Sequence, residues 1–439
     1  MAFLTTSDKA LWRLALPMIF SNITVPLLGL VDTAVIGHLD SPVYLGGVAV
    51  GAMATSFLFM LLLFLRMSTT GFTAQAFGAK DPQALARALV QPLLLALIAG
   101  FAIILCQTPL INLTLQIVGG NDAVLEQARR FLEIRWLSAP ASLANLVLLG
   151  WLLGIQYARA PVVLLVVGNV LNIVLDLWLV MGLHMNVQGA ALATVIAEYA
   201  TFVVGLLMVQ RGLRRRGISL AMLKTAWRGN IRRLLALNRD IMLRSLLLQL
   251  CFGSITVMGA RLGGDIVAVN AVLMTLLTFT AYALDGFAYA VEAHSGQAYG
   301  ARDGSQLLSV WQAACRQSGI VALAFALVYA LAGEQIISLL TSLPDLQRLA
   351  GQYLGWQVIL PVIGVWCYLL DGMFIGATRG TEMRNSMAVA AAGFALTLFS
   401  VPVLGNHGLW LSLAVFLALR GITLAWIWRQ HWRNGTWFS

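Results

Sequence analysis

The chain has 439 residues, of which 60% are hydrophobic and only 10% charged, with 28 Lys and Arg against 18 Asp and Glu. A soluble domain carries about 25% charged residues, so this composition excludes a water-soluble globular protein and points to lipid as the main solvent. The formal charge of +10 has to be placed along the chain before it is read as a nucleic-acid signal.

Continuous apolar runs recur that can cross about 30 Å of hydrocarbon, a distance needing about 20 helical residues. Lipid cannot satisfy free backbone groups, so these runs are helices. A membrane barrel needs short alternating segments, and these runs are unbroken. The pattern predicts twelve spans, over 11–37, 44–70, 88–117, 129–157, 160–183, 187–210, 234–260, 265–292, 309–340, 351–377, 385–405 and 407–428. The first apolar run, Leu11 to Ile36, is too long for a signal peptide's apolar region of about 7–15 residues and stays as a span. Cys106, Cys251, Cys315 and Cys367 lie in apolar stretches without paired spacing. They read as small buried side chains, not as disulfide or metal ligands.

Span 1 holds Pro17 and Pro26 and, near its outer end, Asp32. A proline removes a backbone hydrogen bond inside a helix and allows a bend, so both prolines are candidate hinges. Pro26 precedes Asp32 by six residues, where a bend can respond to the charge state of that carboxylate; a static kink is the other reading. Span 2 is followed by QAFGAKD at 75–81, whose glycine reads as the residue permitting a tight turn. In span 5, Asn172 lies one turn before Asp176 on the same face, and span 6 adds Thr194. At about 1.5 Å per residue, Asp32, Asn172, Asp176 and Thr194 fall in one layer about 8–10 Å below the outer surface.

An acid near a span's centre costs about 2.5–3.5 kcal/mol on insertion scales, so such residues call for a reason. Two carboxylates sharing a low-dielectric site cannot both be charged cheaply, and such a pair can take up a proton. With amide and hydroxyl oxygens added, the group also suits Na⁺, a hard cation that prefers oxygen. The alternative is that both acids only hydrogen-bond neighbouring helices.

Between spans 6 and 7 the chain turns strongly basic, with ten Lys and Arg from Arg211 to Arg244. With both termini cytoplasmic, 21 of the 28 basic residues face inward and five outward, while Arg66 and Arg420 lie within spans. The positive-inside rule therefore sets the orientation. The linker is expected on anionic lipid, not on nucleic acid. It divides the chain into an N-terminal lobe at 1–210, a linker at 211–233 and a C-terminal lobe at 234–439.

QAYGARD at 297–303 repeats QAFGAKD at an offset of 222. Gly37 and Gly259, Ala49 and Ala271, Gly150 and Gly372, and Gly154 and Gly376 match at the same offset. Such a repeat means two copies of one architectural unit. Six spans per copy make the copies parallel, as in transporters whose halves rock around a central cavity. No GxxxxGK[ST] loop occurs, so the drive is expected from an ion gradient and not from nucleotide hydrolysis. HExxH and GxSxG are absent as well, which speaks against hydrolytic enzymes.

At the fixed offset Asp32 becomes Ser254, and span 11 has no carboxylate to match Asp176, so the ion cluster belongs to the first half alone. The second half has Asp285, Glu292 and Asp371 as candidate substrate-cavity residues. Asp285 is expected to face a cavity, Glu292 to reach water near the inner end, and Asp371 to lie in the inner part of span 10. Arg66 is expected near the inner face, snorkelling or paired.

The stretch LALPMIFSNITVPLLGLVDTAVIGHL, the two heptads, and NVLNIVLDLWLV followed by GAALAT resemble the multidrug and toxic compound extrusion (MATE) family. The pattern is most similar to its DNA-damage-inducible protein F (DinF) branch, over essentially the whole chain. The resemblance implies an all-α integral membrane protein of twelve transmembrane helices in two six-helix bundles, related by a pseudo-two-fold along the membrane normal around a V-shaped central cavity. It also implies Na⁺- or H⁺-driven antiport, with Asp32, Asn172, Asp176 and Thr194 as the cation site. The C-lobe acidic sites of another bacterial branch have no clean match here.

The expectation is a monomeric inner-membrane antiporter, not an enzyme, with no cofactor beyond H⁺ or Na⁺ and no nucleic-acid partner. It would export amphipathic, often cationic, organic compounds. A flippase of a lipid-linked precursor is the alternative and predicts a basic cavity, yet only Arg66 and Arg420 read as basic residues inside spans. A prenyl transferase would want Asp-rich Mg²⁺ motifs facing the cytoplasm, whereas NxxxD lies toward the outside.

Overall fold

The computed structural model describes residues 5–37, 39 and 41–438, with the side chains of 25–34 outside that description. Span 1 is the helix Thr6–Gly37. Among the described residues, eleven further helices are long and apolar enough to cross a membrane. They are Pro42–Gly78, Pro82–Leu105, Asp122–Gly154, Ala160–Gly182, Asn186–Arg215, Arg232–Leu262, Gly264–Ala301, Gly304–Leu340, Pro344–Gly376, Gly380–Leu404 and Asn406–Asn434, spans 2 to 12 in order. The twelve-helix reading is borne out, with ends that differ from those expected.

Span 2 shows why the ends differ. It continues to Gly78 because its polar last turns satisfy themselves: Thr69 donates to the Leu65 carbonyl at 2.5 Å and Thr70 to that of Arg66 at 2.9 Å. It is also broken in the middle. Around Leu62 and Leu63 the backbone bonds tighten to three-residue spacing, with the Leu63 amide donating to Met60 and the Leu65 amide to Leu62.

Contacts group the chain into two units, Ile23–Leu234 and Met1–Asn22 with Leu235–Ser439. The first 22 residues therefore count with the C-terminal spans, unlike in the division drawn from sequence. Their side chains account for this. Trp12 donates to Gln317 at 3.0 Å and meets Phe287 edge to face. Asp8 pairs with Arg316 at 3.1 Å, and Asn22 donates to the Tyr282 carbonyl at 3.2 Å.

Each unit has one buried hub, span 4 in the first and span 10 in the second. Span 4 packs on spans 2, 3 and 6, and span 10 on spans 8, 9 and 12. The repeat is visible in these hubs atom by atom. A Cβ on Gly150 would stand 2.6 Å from the Arg66 carbonyl oxygen, and one on Gly372 would stand 2.5 Å from that of Ala288. Gly154 meets Thr73 at 2.6 Å and Gly376 meets Ser295 at 2.6 Å in the same way. Each partner pair is again separated by 222 positions. Small residues let helix backbones approach this closely in a membrane.

The heptads turn differently from the expected way. Gly78 ends its helix and Gly300 lies inside one; the left-handed residues are Lys80 and Arg302, each with φ of 54°. In both copies the following aspartate amide reaches back five residues, Asp81 to Ala76 and Asp303 to Ala298. That bond closes a Schellman-type helix end. Asp81 then caps the next helix by accepting from Gln83 and Ala84, and Asp303 caps its own by accepting from Gln306. The shared spelling thus encodes a helix stop followed by a helix start.

The basic linker is partly helical, with Leu220–Thr225 forming a short helix. Ile218 and Ala226 are buried in the apolar cluster of spans 3, 4 and 6, while Arg214, Arg215, Lys224 and Arg228 stay exposed. One face is therefore anchored on the first unit and the other is charged.

Candidate functional site

In the first unit, span 5 is α-helical to Asp176 and then widens into a π-helical turn over Leu177–Gly182. Asn172 and Asp176, one turn apart, are each only 1% exposed. Left-handed backbone at His184 and Asn186 reverses the chain within a few residues and lays span 6 against span 5. This brings Thr194 to Asn172, where its hydroxyl donates to Oδ1 at 3.5 Å and to the Ala190 carbonyl at 3.2 Å. Three of the four predicted cation ligands therefore share one helix–helix seam. The Asp32 side chain lies outside the described residues, as does that of Pro26. Pro17 sits half-buried within the unbroken first helix.

Oxygen is the only polar element that Asp176 and Thr194 offer, and Asn172 presents its carbonyl oxygen to the threonine. Such a set accepts a proton at the carboxylate or holds a hard cation. π-Helical turns are frequent at functional sites, and this one begins directly after the carboxylate. A second polar seam in the unit is signalled in the sequence only by Glu198, an acid inside span 6. Glu198 of span 6 accepts from the Asn145 amide at 3.1 Å and lies 3.9 Å from Arg135.

The second unit holds a charged cluster that the sequence reveals only in part. Asp371 of span 10 accepts from Arg244 of span 7 at 2.6 Å and from Arg420 of span 12. The phenyl ring of Phe416 lies 5.5 Å and the Tyr368 ring 5.9 Å from the Arg420 guanidinium carbon. Asp285 of span 8 is half-buried and interacts electrostatically with Arg420, Asp371, Arg244 and Glu292. Asp285 and Asp371 thus belong to one network, and Asp371 already has two cationic partners.

Two residues depart from their expected places, and a third takes one of the two courses open to it. Arg244 reads in sequence as part of the basic stretch, but it lies a third of the way into span 7 and is 7% exposed; a lone Arg next to a run of exposed ones carries no local mark of burial. Glu292, expected to reach water, is 2% exposed because the helix continues to Ala301. Arg66, expected to snorkel or to be paired, is the latter: it is 3% exposed and donates to Thr70 at 3.4 Å.

Comparisons with known proteins agree with the fold. The family description MatE matches residues 17–178 and 241–404, one match in each copy of the repeat. The chain is 85% identical over 439 residues to "DNA damage-inducible protein F" of Escherichia coli (strain K12), covering all of this chain and 96% of the relative. It is 27% identical to "Probable multidrug resistance protein NorM" of Deinococcus radiodurans, over 96% of this chain and 95% of that one. Among solved structures, "MATE in the straight conformation" superposes with a TM-score of 0.84 at 22% identity, over 96% of this chain and 95% of that chain. "MATE in the bent conformation" gives 0.83 at 22% identity, over 99% and 100%. At these identities the structures speak for the fold alone.

Proposed function

The chain belongs to the MatE family of multi-pass membrane transporters, and from that premise we propose that it is a cation-coupled antiporter exporting amphipathic, often cationic, organic compounds. The observation that carries this reading is the buried oxygen seam of Asn172, Asp176 and Thr194. A carboxylate 1% exposed inside a span is costly, and such residues usually mark ion pathways. With Asp32 from span 1, the seam binds H⁺ or Na⁺, and loading it competes with substrate through alternating access. One charge crossing 100 mV supplies about 2.3 kcal/mol, nearly fifty-fold on a two-state equilibrium. The protein acts as a monomer in the cytoplasmic membrane with both termini inside, as the basic residues favour.

The test is dye efflux from proteoliposomes under an imposed pH gradient or an imposed Na⁺ gradient, applied separately. Efflux is expected with at least one gradient. Asp32→Ala and Asp176→Ala are expected to abolish it while the protein still inserts. Normal pumping by both variants overturns the assignment. A flippase of a lipid-linked precursor remains the second reading, and Arg244 joining Arg420 inside the spans is the observation in its favour.

A further inference from the structure

The cluster in the second unit is unbalanced in a way the coupling reading does not use. A guanidinium has five N–H donors and no acceptor. Here two guanidiniums converge on a single oxygen, Oδ2 of Asp371. Arg244 is 7% exposed and Arg420 4%. The Nε of each is buried without a hydrogen-bond partner among the described residues. N–H donors therefore outnumber the acceptors bonded to them.

With Glu292 acting on it, Asp285 is a further negative charge in this network. It interacts electrostatically with both guanidiniums, yet no hydrogen bond joins it to either among the described residues. It compensates charge from a distance and leaves the donors unused. Buried polar groups are normally bonded, and paired Arg forks match the two oxygens of a carboxylate or the oxygens of a phosphate. The half-buried ring of Tyr368 beside Arg420 adds a flat apolar flank, and the fully buried Phe416 backs the guanidinium from the core side.

We infer that Arg244 and Arg420 form an anion-binding site in the second unit, which takes the oxyanion group of an amphipathic organic molecule while its apolar body lies against the half-buried ring of Tyr368. The acceptor is a carboxylate, sulfonate or phosphate. Asp285 is its internal competitor: it offsets the guanidinium charge when the site is empty and repels the anion when it arrives. The site is separate from the Asn172–Asp176 seam, so its test stands whatever ion drives transport.

The test uses the full chain in nanodiscs of phosphatidylcholine, titrated calorimetrically with naphthalene-2-sulfonate and with its trimethylammonium counterpart. Saturable binding of the sulfonate is expected. Arg420→Gln should weaken it at least tenfold, and Arg420→Lys should weaken it less, since the charge remains and the fork is lost. Asp285→Asn should tighten it about tenfold, a gain that misfolding cannot produce. The ammonium probe should not follow the Arg420 series. Absence of saturable sulfonate binding, or unchanged or weaker binding in Asp285→Asn, overturns the site. Nanodiscs containing phosphatidylglycerol separate the sources: displaced sulfonate identifies a lipid headgroup as occupant, and undisturbed binding identifies a free organic anion.

Discussion

Lys80 and Arg302 stand 222 positions apart and adopt the same left-handed backbone, each with φ of 54°. An L-residue there costs about 1–2 kcal/mol relative to the right-handed region, and glycine removes that penalty. Lys80→Gly and Arg302→Gly are each expected to raise thermal stability in detergent by about 0.5–1 kcal/mol, the relieved strain less the added freedom of the unfolded chain. A scanning-fluorimetry midpoint that falls in both would show that the basic side chains, not the backbone, set the turn.

Gly150 and Gly372 supply a matched pair of packing tests. A methyl group at either position meets a backbone carbonyl oxygen at 2.6 or 2.5 Å, and backbone cannot swing aside. Gly150→Ala and Gly372→Ala should each cost about 1–3 kcal/mol, by similar amounts. Gly253, where a methyl group would find nothing within 4 Å, is the control. Gly253→Ala should be neutral or stabilising by about 0.5–1 kcal/mol. Thermal midpoints of the three variants decide it.

Thr194 tests the seam more gently than removal of a carboxylate. Thr194→Val keeps the shape and deletes the hydroxyl that donates to Asn172. A lost hydrogen bond is worth about 1 kcal/mol, so the coupling-ion concentration giving half-maximal efflux should rise about fivefold with the maximal rate largely kept. An unchanged ion dependence would remove Thr194 from the site.

Asp371 carries the strongest stability prediction. Asp371→Asn leaves two buried guanidiniums without a counter-charge between them, and breaking a buried pair this way costs about 3–5 kcal/mol. Combining it with Arg420→Gln should cost less than the two singles added together, because the double variant removes a charge of each sign. Thermal unfolding of all four proteins in the cycle checks this.

The fold is legible in the sequence because its determinants are local. Twelve apolar runs, the Lys and Arg bias, and the spacing of the heptads can all be read along one dimension. Asn172 and Asp176 are legible for the same reason, since four residues on a helix mean one face. Arg244 is not, because its burial depends on Asp371, which is 127 residues away. The break at Leu62–Leu63 also leaves no mark, as neither proline nor glycine lies there. The turn at Lys80 is easily credited to its neighbouring glycine: composition shows which stretch turns, but not which residue takes the left-handed angle.

The contacts of Gly150 and Gly372 constrain the descent of the two copies. Where helix four or helix ten presses directly on a neighbour's carbonyl, neither copy can acquire a side chain without parting its bundle. At 32 and 254, or 66 and 288, one copy has a charged residue and the other Ser or Ala. A duplicated scaffold pinned at a few glycines leaves the remaining positions free to specialise, so chemical division of labour between the halves requires no change of architecture.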